Sequence, residues 1–229
     1  MTDYKAEAAK AALQLIKVGQ TIGLGAGTTI SHLVAMISHE SGLWPTLNFT
    51  SSSFKTTNLL QEYGLAVQSP SLLKYLDIYF DGCDQFDKDL NALKSGGGIH
   101  TTEKILASMA KEFILIGDEG KYVEKFDTKY PLVIEILPQA LQIVLSRVTS
   151  DFPDAQIKLR MSDKKDGAVI SENGNMLADI YFTSAMPAEK LNIQIKMIPG
   201  VVDHSLFYRM ATKALIAGET GISVITSNY

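Results

Sequence analysis

The chain has 229 residues, a formal net charge of −4 and a hydrophobic fraction of 46%. This length fits one large domain, or a main domain with a smaller one attached, and the apolar fraction is enough to fill its core. The mild acidity argues against general nucleic-acid binding, which needs a basic face. Any anion site must therefore be built locally, from a few lysines and backbone amides.

The cysteine content and the N-terminal sequence bear on the cellular compartment. The single cysteine, Cys83, cannot form an intramolecular disulfide and fits a reducing cytoplasm. The sequence MTDYKAEAAK lacks the apolar core of a signal peptide, and no apolar run reaches the ~18 residues that a membrane span needs. We therefore expect a cytoplasmic protein without a membrane partner.

The first half of the chain alternates predicted strands with predicted helices. Short apolar runs bounded by glycine or serine turns predict the strands, and longer runs with helical periodicity predict the helices. Such alternation predicts an α/β fold whose mostly parallel sheet is covered on both faces. The predicted strands are 21–24, 47–50, 77–80 and 113–116, and the predicted helices are 6–17, 30–39, 54–63 and 102–111.

The pattern changes after Lys129, where strands outnumber helices. The turn Glu172-Asn173-Gly174-Asn175 predicts a hairpin, because Asn-Gly reaches positive φ at little cost. This order predicts a smaller α+β subdomain, residues 130–200, inserted into an α/β domain of residues 1–129 plus 201–229. The predicted strands here are 133–136, 157–160, 168–171, 176–181, 214–216 and 222–225, and the predicted helices are 139–149 and 187–196.

The segment Gly25-Ala26-Gly27-Thr28-Thr29 lies between a predicted strand and a predicted helix. Glycines let the backbone approach a ligand closely, and a helix N-terminus offers N–H groups to an anion. The segment therefore predicts a phosphate site, although it matches neither a P-loop nor the full dinucleotide fingerprint. The alternative is a plain glycine-rich turn with Thr28 as the helix N-cap.

Asp81 and Asp84 follow a predicted strand at the sheet edge where α/β proteins bind ligands. Two neighbouring carboxylates can hold different protonation states and share acid–base work. The alternative is turn chemistry, since Asp-Gly is a common turn pair. Cys83 has no obvious base nearby in sequence, which favours a small buried side chain over a nucleophile.

The segment Lys94-Ser95-Gly96-Gly97-Gly98 is a second glycine-rich candidate, followed at a predicted helix start by Glu103. Adjacent glycines suggest backbone packed against a ligand or another loop, and Lys94 supplies a compensating charge. The alternatives are a flexible surface loop and a glutamate that serves the helix dipole or a capping box. The four histidines, His32, His39, His100 and His204, lack metal-ligand spacing, and of these His100 is a candidate pocket-wall residue.

Seven segments, in order and spacing, resemble the ribose-5-phosphate isomerase type A family over nearly the whole chain. They are Gly23–Thr29 (GLGAGTT), Asp81–Asp84 (DGCD), Leu93–Lys104 (LKSGGGIHTTEK), Asp118–Lys121 (DEGK), Pro131–Pro138 (PLVIEILP), Asn173–Asp179 (NGNMLAD) and Ile198–Phe207 (IPGVVDHSLF). The resemblance implies interconversion of ribose 5-phosphate and ribulose 5-phosphate in the pentose phosphate pathway, without a metal or an organic cofactor. It also implies a Rossmann-like sheet domain with an inserted ferredoxin-like α+β subdomain, assembled as a homodimer or larger homo-oligomer.

The resemblance further implies roles for individual residues. Glu103 would be the base, with Asp81, Asp84 and Lys94 as further catalytic residues. The residues implied to bind the substrate are Lys5, Ala26, Gly27, Thr28, Thr29, Gly82, Cys83, Ser95, Gly96, Gly97 and Lys121.

The chain departs from the family pattern at four positions in or beside these segments. Ser95 stands where glycine is usual, Gln85 where glutamate is usual, Thr102 where arginine is frequent and Gly120 where serine is frequent. None of these changes removes a proposed acid or base, but the Cβ of Ser95 bears on pocket shape and substrate preference.

Two other classes of protein compete with the isomerase. A non-catalytic sugar-phosphate sensor would need a DNA-binding domain, for which the sequence before the first strand has no room, and would not need Glu103. An acyl-CoA transferase of related fold would use a glutamate as covalent nucleophile, and would leave Asp81, Asp84 and Lys94 unexplained.

Overall fold

The computed structural model describes residues 2–185 and 187–229, and the chain divides into two units. The first unit consists of a segment that ends at Cys83, together with Thr102–Tyr122 and Arg209–Tyr229. The second unit consists of Asp84–Thr101 and Val123–Tyr208. These bounds differ from the predicted domains, because 84–101, 123–129 and 201–208 belong to the second unit.

The described strands and helices are numbered here in chain order. The strands are β1 (Thr21–Leu24), β2 (Asn48–Ser51), β3 (Leu76–Asp81), β4 (Gln85–Phe86), β5 (Ala92–Leu93), β6 (Ala110–Asp118), β7 (Leu132–Ile136), β8 (Ala155–Leu159), β9 (Met176–Phe182), β10 (Val201–His204), β11 (Leu206–Phe207), β12 (Lys213–Gly218) and β13 (Gly221–Thr226). The helices are α1 (Tyr4–Leu13), α2 (Thr28–His39), α3 (Phe54–Glu62), α4 (His100–Met109), α5 (Leu141–Asp151) and α6 (Ala188–Lys196). Short 3-10 helices cover Trp44–Thr46, Pro70–Leu72, Glu119–Lys121 and Pro138–Ala140.

The first unit is built on a six-stranded sheet with the order β13-β12-β6-β3-β1-β2. All neighbouring strands are parallel except the β12–β13 hairpin at one edge. The central strands are almost entirely buried, as expected for a parallel sheet covered by helices. The prediction of a mostly parallel α/β sheet is therefore confirmed.

The connections of this sheet change direction between β1 and β3. From β1 the chain passes to β2 at one edge, and it then returns to form β3 on the opposite side of β1. In open α/β sheets, ligands bind beyond the carboxyl ends of the strands at such a switch point. Gly25 follows β1 and Asp81 ends β3, so both predicted segments lie at this position.

The second unit carries two antiparallel sheets. The larger has the order β10-β7-β9-β8 and is crossed by the β-α-β-β-α-β connection of a ferredoxin-like subdomain. Its core contains Ile134, Ile136 and Ala178 with Val144 and Ile195 from its two helices. The smaller sheet, β11-β5-β4, consists of two-residue strands that the sequence analysis did not predict.

Two predicted elements were wrong in part. The first helix ends at Leu13 rather than at Lys17, because the N–H groups of Leu15 and Ile16 bond to carbonyls three residues back in a tightened turn. Residues 168–171 form isolated bridges rather than a strand. The reason is that the adjoining Ser171 closes a turn with Asn175, in which Gly174 has a φ of 78°. The predicted Asn-Gly turn itself is confirmed.

None of the described helices combines the length and the apolarity that crossing a bilayer requires.

Candidate active site

The first glycine loop connects β1 to α2 and is held by its carbonyl groups. Ser51 Oγ donates a hydrogen bond to the Leu24 carbonyl at 2.7 Å, and Thr56 Oγ1 donates one to the Gly25 carbonyl at 2.8 Å. Gly27 caps α2 with a φ of 101° and no side-chain hydrogen bond, so Thr28 is a helical residue and not the N-cap. No side chain thus caps the first-turn N–H groups of α2, and the phosphate site at this helix start stays a prediction.

The carboxylate of Asp81 occupies the space beside Gly25. A Cβ on Gly25 would lie 1.9 Å from Asp81 Cγ, which excludes any side chain there. Asp81 Oδ1 accepts hydrogen bonds from the N–H groups of Ala26 at 3.2 Å and Gly82 at 2.8 Å. Asp81 has no exposed surface. The structure thus brings Gly25 and Ala26 of the first predicted segment together with Asp81 of the second.

Tyr79 completes the surroundings of Asp81 and was missed by the sequence analysis. Its hydroxyl donates a 2.6 Å hydrogen bond to Asp81 Oδ2 and lies 3.2 Å from Ser52 Oγ. Burial, followed by the negative charges of Asp81 and Glu103, raises the pKa of Tyr79 well above its ordinary value. Tyr79 is therefore a neutral donor. Residues two apart in a strand face the same side, and this spacing was the signal that could have found it.

Glu103 lies in the first turn of α4 and is buried, with 4% of its surface exposed. Its charge raises the pKa of the Tyr79 hydroxyl, as does the charge of Asp81. The charges of two buried carboxylates therefore raise the pKa of one hydroxyl in the first unit. A capping or dipole role for Glu103 would not require burial, because the helix dipole can be served from the surface.

Two predicted lysines also lie in the first unit. Lys5 is exposed in the first turn of α1, and its N–H donates to the capping carboxylate of Asp3 at 3.1 Å. The other Asp3 oxygen lies 3.4 Å from His32 Nε2, which places this turn beside α2. Lys121 is half-buried and ends the 3-10 helix that follows β6, at the carboxyl edge of the sheet.

Two predicted site residues of the second unit, Asp84 and Ser95, are held by hydrogen bonds of both backbone and side chain. The Asp84 N–H donates to the Leu93 carbonyl at 2.9 Å, and Asp84 Oδ2 accepts from the Ser95 N–H at 2.6 Å. Ser95 is buried, and its hydroxyl donates to the Pro131 carbonyl at 2.6 Å. The unusual serine at this position therefore fastens the loop to another segment of its unit.

Lys94 is half-buried between the smaller sheet and residues 95–98, which form the second glycine loop. Its N–H donates to the Ser205 carbonyl at 3.0 Å, and its ammonium lies 5.8 Å from the centre of the Phe207 ring. Such a cation–π contact orients the side chain. Cys83, predicted to be buried, is half-buried.

Arg160 binds two backbone carbonyls of the second glycine loop, and the sequence analysis did not single it out. Its guanidinium donates to the carbonyls of Ser95 and Gly96, both at 2.9 Å. It also bonds to the carboxylate of Asp179, with Nε at 3.1 Å from Oδ1. Gly96 and Gly97 are exposed. No short-range pattern in the sequence links these residues.

Glu135 is a buried carboxylate in β7 that the sequence analysis did not single out. Burial alone raises its pKa, but hydrogen bonds from the side chains of Ser171, Thr101, Asn175 and Asn173 bring the pKa below its ordinary value. A buried carboxylate with four donors is well compensated. It fixes the 171–175 turn and a residue of the first turn of α4.

The buried histidines have structural partners. His100 Nε2 lies 3.3 Å from the Asp203 carbonyl and the residue is buried, while its candidacy as a pocket-wall residue stays a prediction. His204 Nδ1 accepts from the Leu206 N–H, so its Nε2 carries the proton that faces the Asn192 carbonyl at 3.2 Å. No group of three or more metal-ligating side chains is found among the described residues, and the cofactor prediction stays a prediction.

The fold and these groups define a class: α/β proteins with a glycine-capped helix N-terminus and a buried carboxylate at the switch point of a parallel sheet. The family model described as "Ribose 5-phosphate isomerase A (phosphoriboisomerase A)" matches residues 48–221. The chain belongs to this family.

Individual relatives match this chain over most of their length. Ribose-5-phosphate isomerase A of Methanococcus aeolicus is 37% identical, with 91% of this chain and 88% of the relative covered. The structure of ribose 5-phosphate isomerase A from Methanocaldococcus jannaschii superposes with a TM-score of 0.89 at 33% identity, covering 98% and 99% of the two chains. A D-ribose-5-phosphate isomerase in complex with phospho-erythronic acid superposes with a TM-score of 0.90 at 30% identity, covering 97% of each chain. The isomerase interpretation is thereby favoured over the sensor and the acyl-CoA transferase.

Proposed function

We propose that Glu103 is the base with which this aldose–ketose isomerase interconverts D-ribose 5-phosphate and D-ribulose 5-phosphate, in the non-oxidative branch of the pentose phosphate pathway. The observation that carries the proposal is the pair of buried carboxylates, Asp81 and Glu103, which both act on the Tyr79 hydroxyl. Paired carboxylates in one environment can divide acid and base work.

The reaction proceeds through an enediolate. Asp81 first shuttles a proton from the anomeric hydroxyl to the ring oxygen while the bond between C1 and that oxygen breaks, which yields the open aldehyde and the C4 hydroxyl. Glu103 then removes the proton on C2, the C–H electrons form the C1–C2 double bond, and O1 becomes an enediolate oxygen. The O2 proton then passes to O1, which becomes the C1 hydroxyl, and the C2 carbonyl forms as the electrons of the C1–C2 double bond take the proton back from the carboxyl of Glu103 at C1.

The first glycine loop is assigned to the phosphate end of the sugar. Residues Ala26 to Thr29 would bind the phosphate at the open N-terminus of α2, where Gly27 leaves space for it. Lys5 and Lys121 would add positive charge. Binding of this remote, non-reacting group orients the sugar and lowers the barrier at the reacting carbons.

The sugar end is assigned to the remaining predicted residues by the family resemblance. Asp84 and Lys94 would contact the sugar hydroxyls and the developing oxyanion, together with the backbone of the second glycine loop. The further members of this set are Gly82, Cys83, Ser95, Gly96 and Gly97. Asp81 has no exposed surface. A role as proton shuttle therefore requires that its carboxylate contact the sugar once the sugar is bound. Asp81→Asn separates the roles, since asparagine still accepts hydrogen bonds but cannot carry the proton.

The test measures ribulose 5-phosphate formation from ribose 5-phosphate in the presence of EDTA. Glu103→Gln is expected to lower kcat by at least about 1,000-fold, because the amide cannot accept the C2 proton. Glu62→Gln, the same change at an exposed helical position, is the matched control and is expected to keep wild-type kcat. Near-normal kcat in Glu103→Gln would show that another residue is the base.

A binding measurement separates loss of chemistry from loss of the site. A related D-ribose-5-phosphate isomerase is known in complex with phospho-erythronic acid. This compound is a suitable second probe of binding, since its carboxylate resembles the enediolate. Calorimetric titration of Glu103→Gln with ribose 5-phosphate is expected to give a Kd within about threefold of the value for Asp81→Asn, both being folded and inactive. EDTA-sensitive turnover would contradict the metal-free mechanism.

We further propose that the protein works in the cytoplasm as a homodimer or larger homo-oligomer, without nucleic-acid or membrane partners. The single cysteine and the family resemblance support this proposal. Sedimentation at micromolar concentration tests the assembly, and a monomer with full activity would contradict it.

A further inference from the structure

We propose that Arg160, held in place by Asp179, is a positioning residue of the isomerase that aims the amide N–H groups of Gly96 and Gly97 at the substrate. This inference rests on the proposed function, in which the second glycine loop stabilises the oxyanion of the enediolate. Arg160 lies outside the loop and determines the direction of the loop's peptide groups.

The direction of each amide N–H follows from the geometry of the peptide bond. The carbonyl of Ser95 and the N–H of Gly96 belong to one peptide group, and the carbonyl of Gly96 and the N–H of Gly97 belong to the next. In a planar trans peptide the C=O and N–H bonds point in opposite directions, and no cis peptide is present among the described residues. Arg160 binds both carbonyls at 2.9 Å. It therefore turns both N–H groups to the side away from itself.

The hydrogen bonds of the loop support this direction. The N–H of Lys94 is used by the Ser205 carbonyl, and the N–H of Ser95 is used by Asp84. In the described part of the chain, the N–H groups of Gly96 and Gly97 make no hydrogen bond to protein. Both residues are exposed, and a Cβ on Gly96 would meet no atom within 4 Å. These two amides are therefore directed at open space in which a ligand oxygen fits.

Only an arginine suits this arrangement. Two of its N–H groups serve the two carbonyls while others bind the Asp179 carboxylate, and a lysine ammonium lacks such a planar fork. The ion pair is well shielded, with side-chain exposures of 19% for Arg160 and 15% for Asp179. Arg160 follows β8 and Asp179 lies on β9, which are paired neighbours in one sheet. A rigid sheet thus holds a loop whose glycines would otherwise leave its peptide groups free to rotate.

The first test compares Arg160→Met with Arg147→Met. Arg147 makes an exposed ion pair with Asp151 on one helix, so the same substitution there serves as the control for losing an arginine. We expect Arg160→Met to lower kcat by about 30- to 100-fold, since misaligned oxyanion donors cost catalysis, and to change KM by less than about threefold. We expect methylguanidinium at millimolar concentration to restore at least part of kcat in Arg160→Met and to leave Arg147→Met unchanged.

The second test does not depend on turnover. Backbone amide relaxation of Gly96 and Gly97 is expected to show ordered peptide groups in the wild type and in Arg147→Met, and increased mobility in Arg160→Met. Unchanged relaxation of both amides in folded Arg160→Met would overturn the positioning role, whatever the activity. So would a raised KM with normal kcat. If the wild type failed to isomerise ribose 5-phosphate, the proposed function would fall, while the relaxation experiment would still decide the role of Arg160.

Discussion

The contact between Gly25 and Asp81 gives the sharpest prediction for this protein, which concerns Gly25→Ala. The new Cβ would lie 1.9 Å from Asp81 Cγ and 2.0 Å from Oδ1. Carbon–carbon contacts need about 3.5 Å, so the carboxylate has to move by more than about 1 Å. Such a shift breaks the hydrogen bonds from Ala26, Gly82 and Tyr79, which measure 3.2, 2.8 and 2.6 Å.

The size of the effect follows from these contacts. Overpacking costs about 1–3 kcal/mol and each hydrogen bond to a charged group contributes about 1.5–3 kcal/mol. Because the carboxylate regains some hydration when it moves, we expect a net loss of about 3–5 kcal/mol in the free energy of unfolding. For a chain of this size that loss lowers Tm by about 6–20 °C. A catalytic group displaced by about 1 Å also costs roughly 100-fold in kcat.

The assay combines thermal unfolding with steady-state isomerisation. Gly42→Ala is the control, since a Cβ there would meet no atom within 4 Å. The decisive comparison repeats Gly25→Ala in an Asp81→Ala background, where the clash is gone. Equal losses of Tm in the two backgrounds would refute the reasoning, because a steric conflict between two side chains has to disappear when one of them is removed.

Three further predictions concern residues around the site. Tyr79→Phe removes one donor from Asp81 and is expected to lower kcat by about 10-fold with little change in KM, measured by steady-state kinetics. Ser95→Gly loses the bond to Pro131 and is expected to lower the free energy of unfolding by about 1–2 kcal/mol in a urea titration, while substrate preference is kept. Glu135 has a lowered pKa in the folded state, so its stabilisation is complete above the ordinary value of 4.5 and is lost as the pH falls through the folded pKa. Glu135→Gln is therefore expected to be less stable at pH 7 and to lose less stability between pH 5 and pH 3, followed by unfolding at each pH.

Each of these has a contradicting result. Full activity of Tyr79→Phe would show that Asp81 needs only its backbone donors. A change of preferred sugar in Ser95→Gly would show that the Cβ shapes the pocket. An unchanged acid slope in Glu135→Gln would assign the acid sensitivity to other carboxylates.

The sequence predicted those parts of the structure that depend on local pattern. The runs at Thr21–Leu24 and Leu76–Asp81 are apolar, bounded by turn residues and long enough to identify as strands. The two-residue strands Gln85–Phe86 and Ala92–Leu93 carry no periodicity and were missed. The helix that begins at His100 was predicted two residues late, since its start has no side-chain signal beyond the two threonines.

The candidate site was predicted as a set of residues but not as a network. Acidic and glycine-rich segments are visible in the sequence, because their composition is unusual for a core. Tyr79 lies in a strand and Arg160 just after one, and both were missed because their importance comes from partners found only in the folded chain. Arg160, for example, bonds to a carbonyl 65 positions earlier. The departure at Ser95 could be noticed in the sequence, but its hydrogen bond to Pro131 could not.

The six-stranded sheet has a consequence for how the protein folds. Its strand β6 is bordered on one side by β3 and on the other by β12, which begins at Lys213. The hairpin of β12 and β13 is local, but the pairing of β12 with β6 closes a loop of about one hundred residues, and such closure carries an entropic cost before any contact forms. During synthesis, the edge of β6 that later pairs with β12 therefore stays unpaired until the residues after Arg209 have been made. Refolding of the sheet is accordingly expected to be slow, and the waiting edge is the point at which a nascent chain is most prone to pair wrongly.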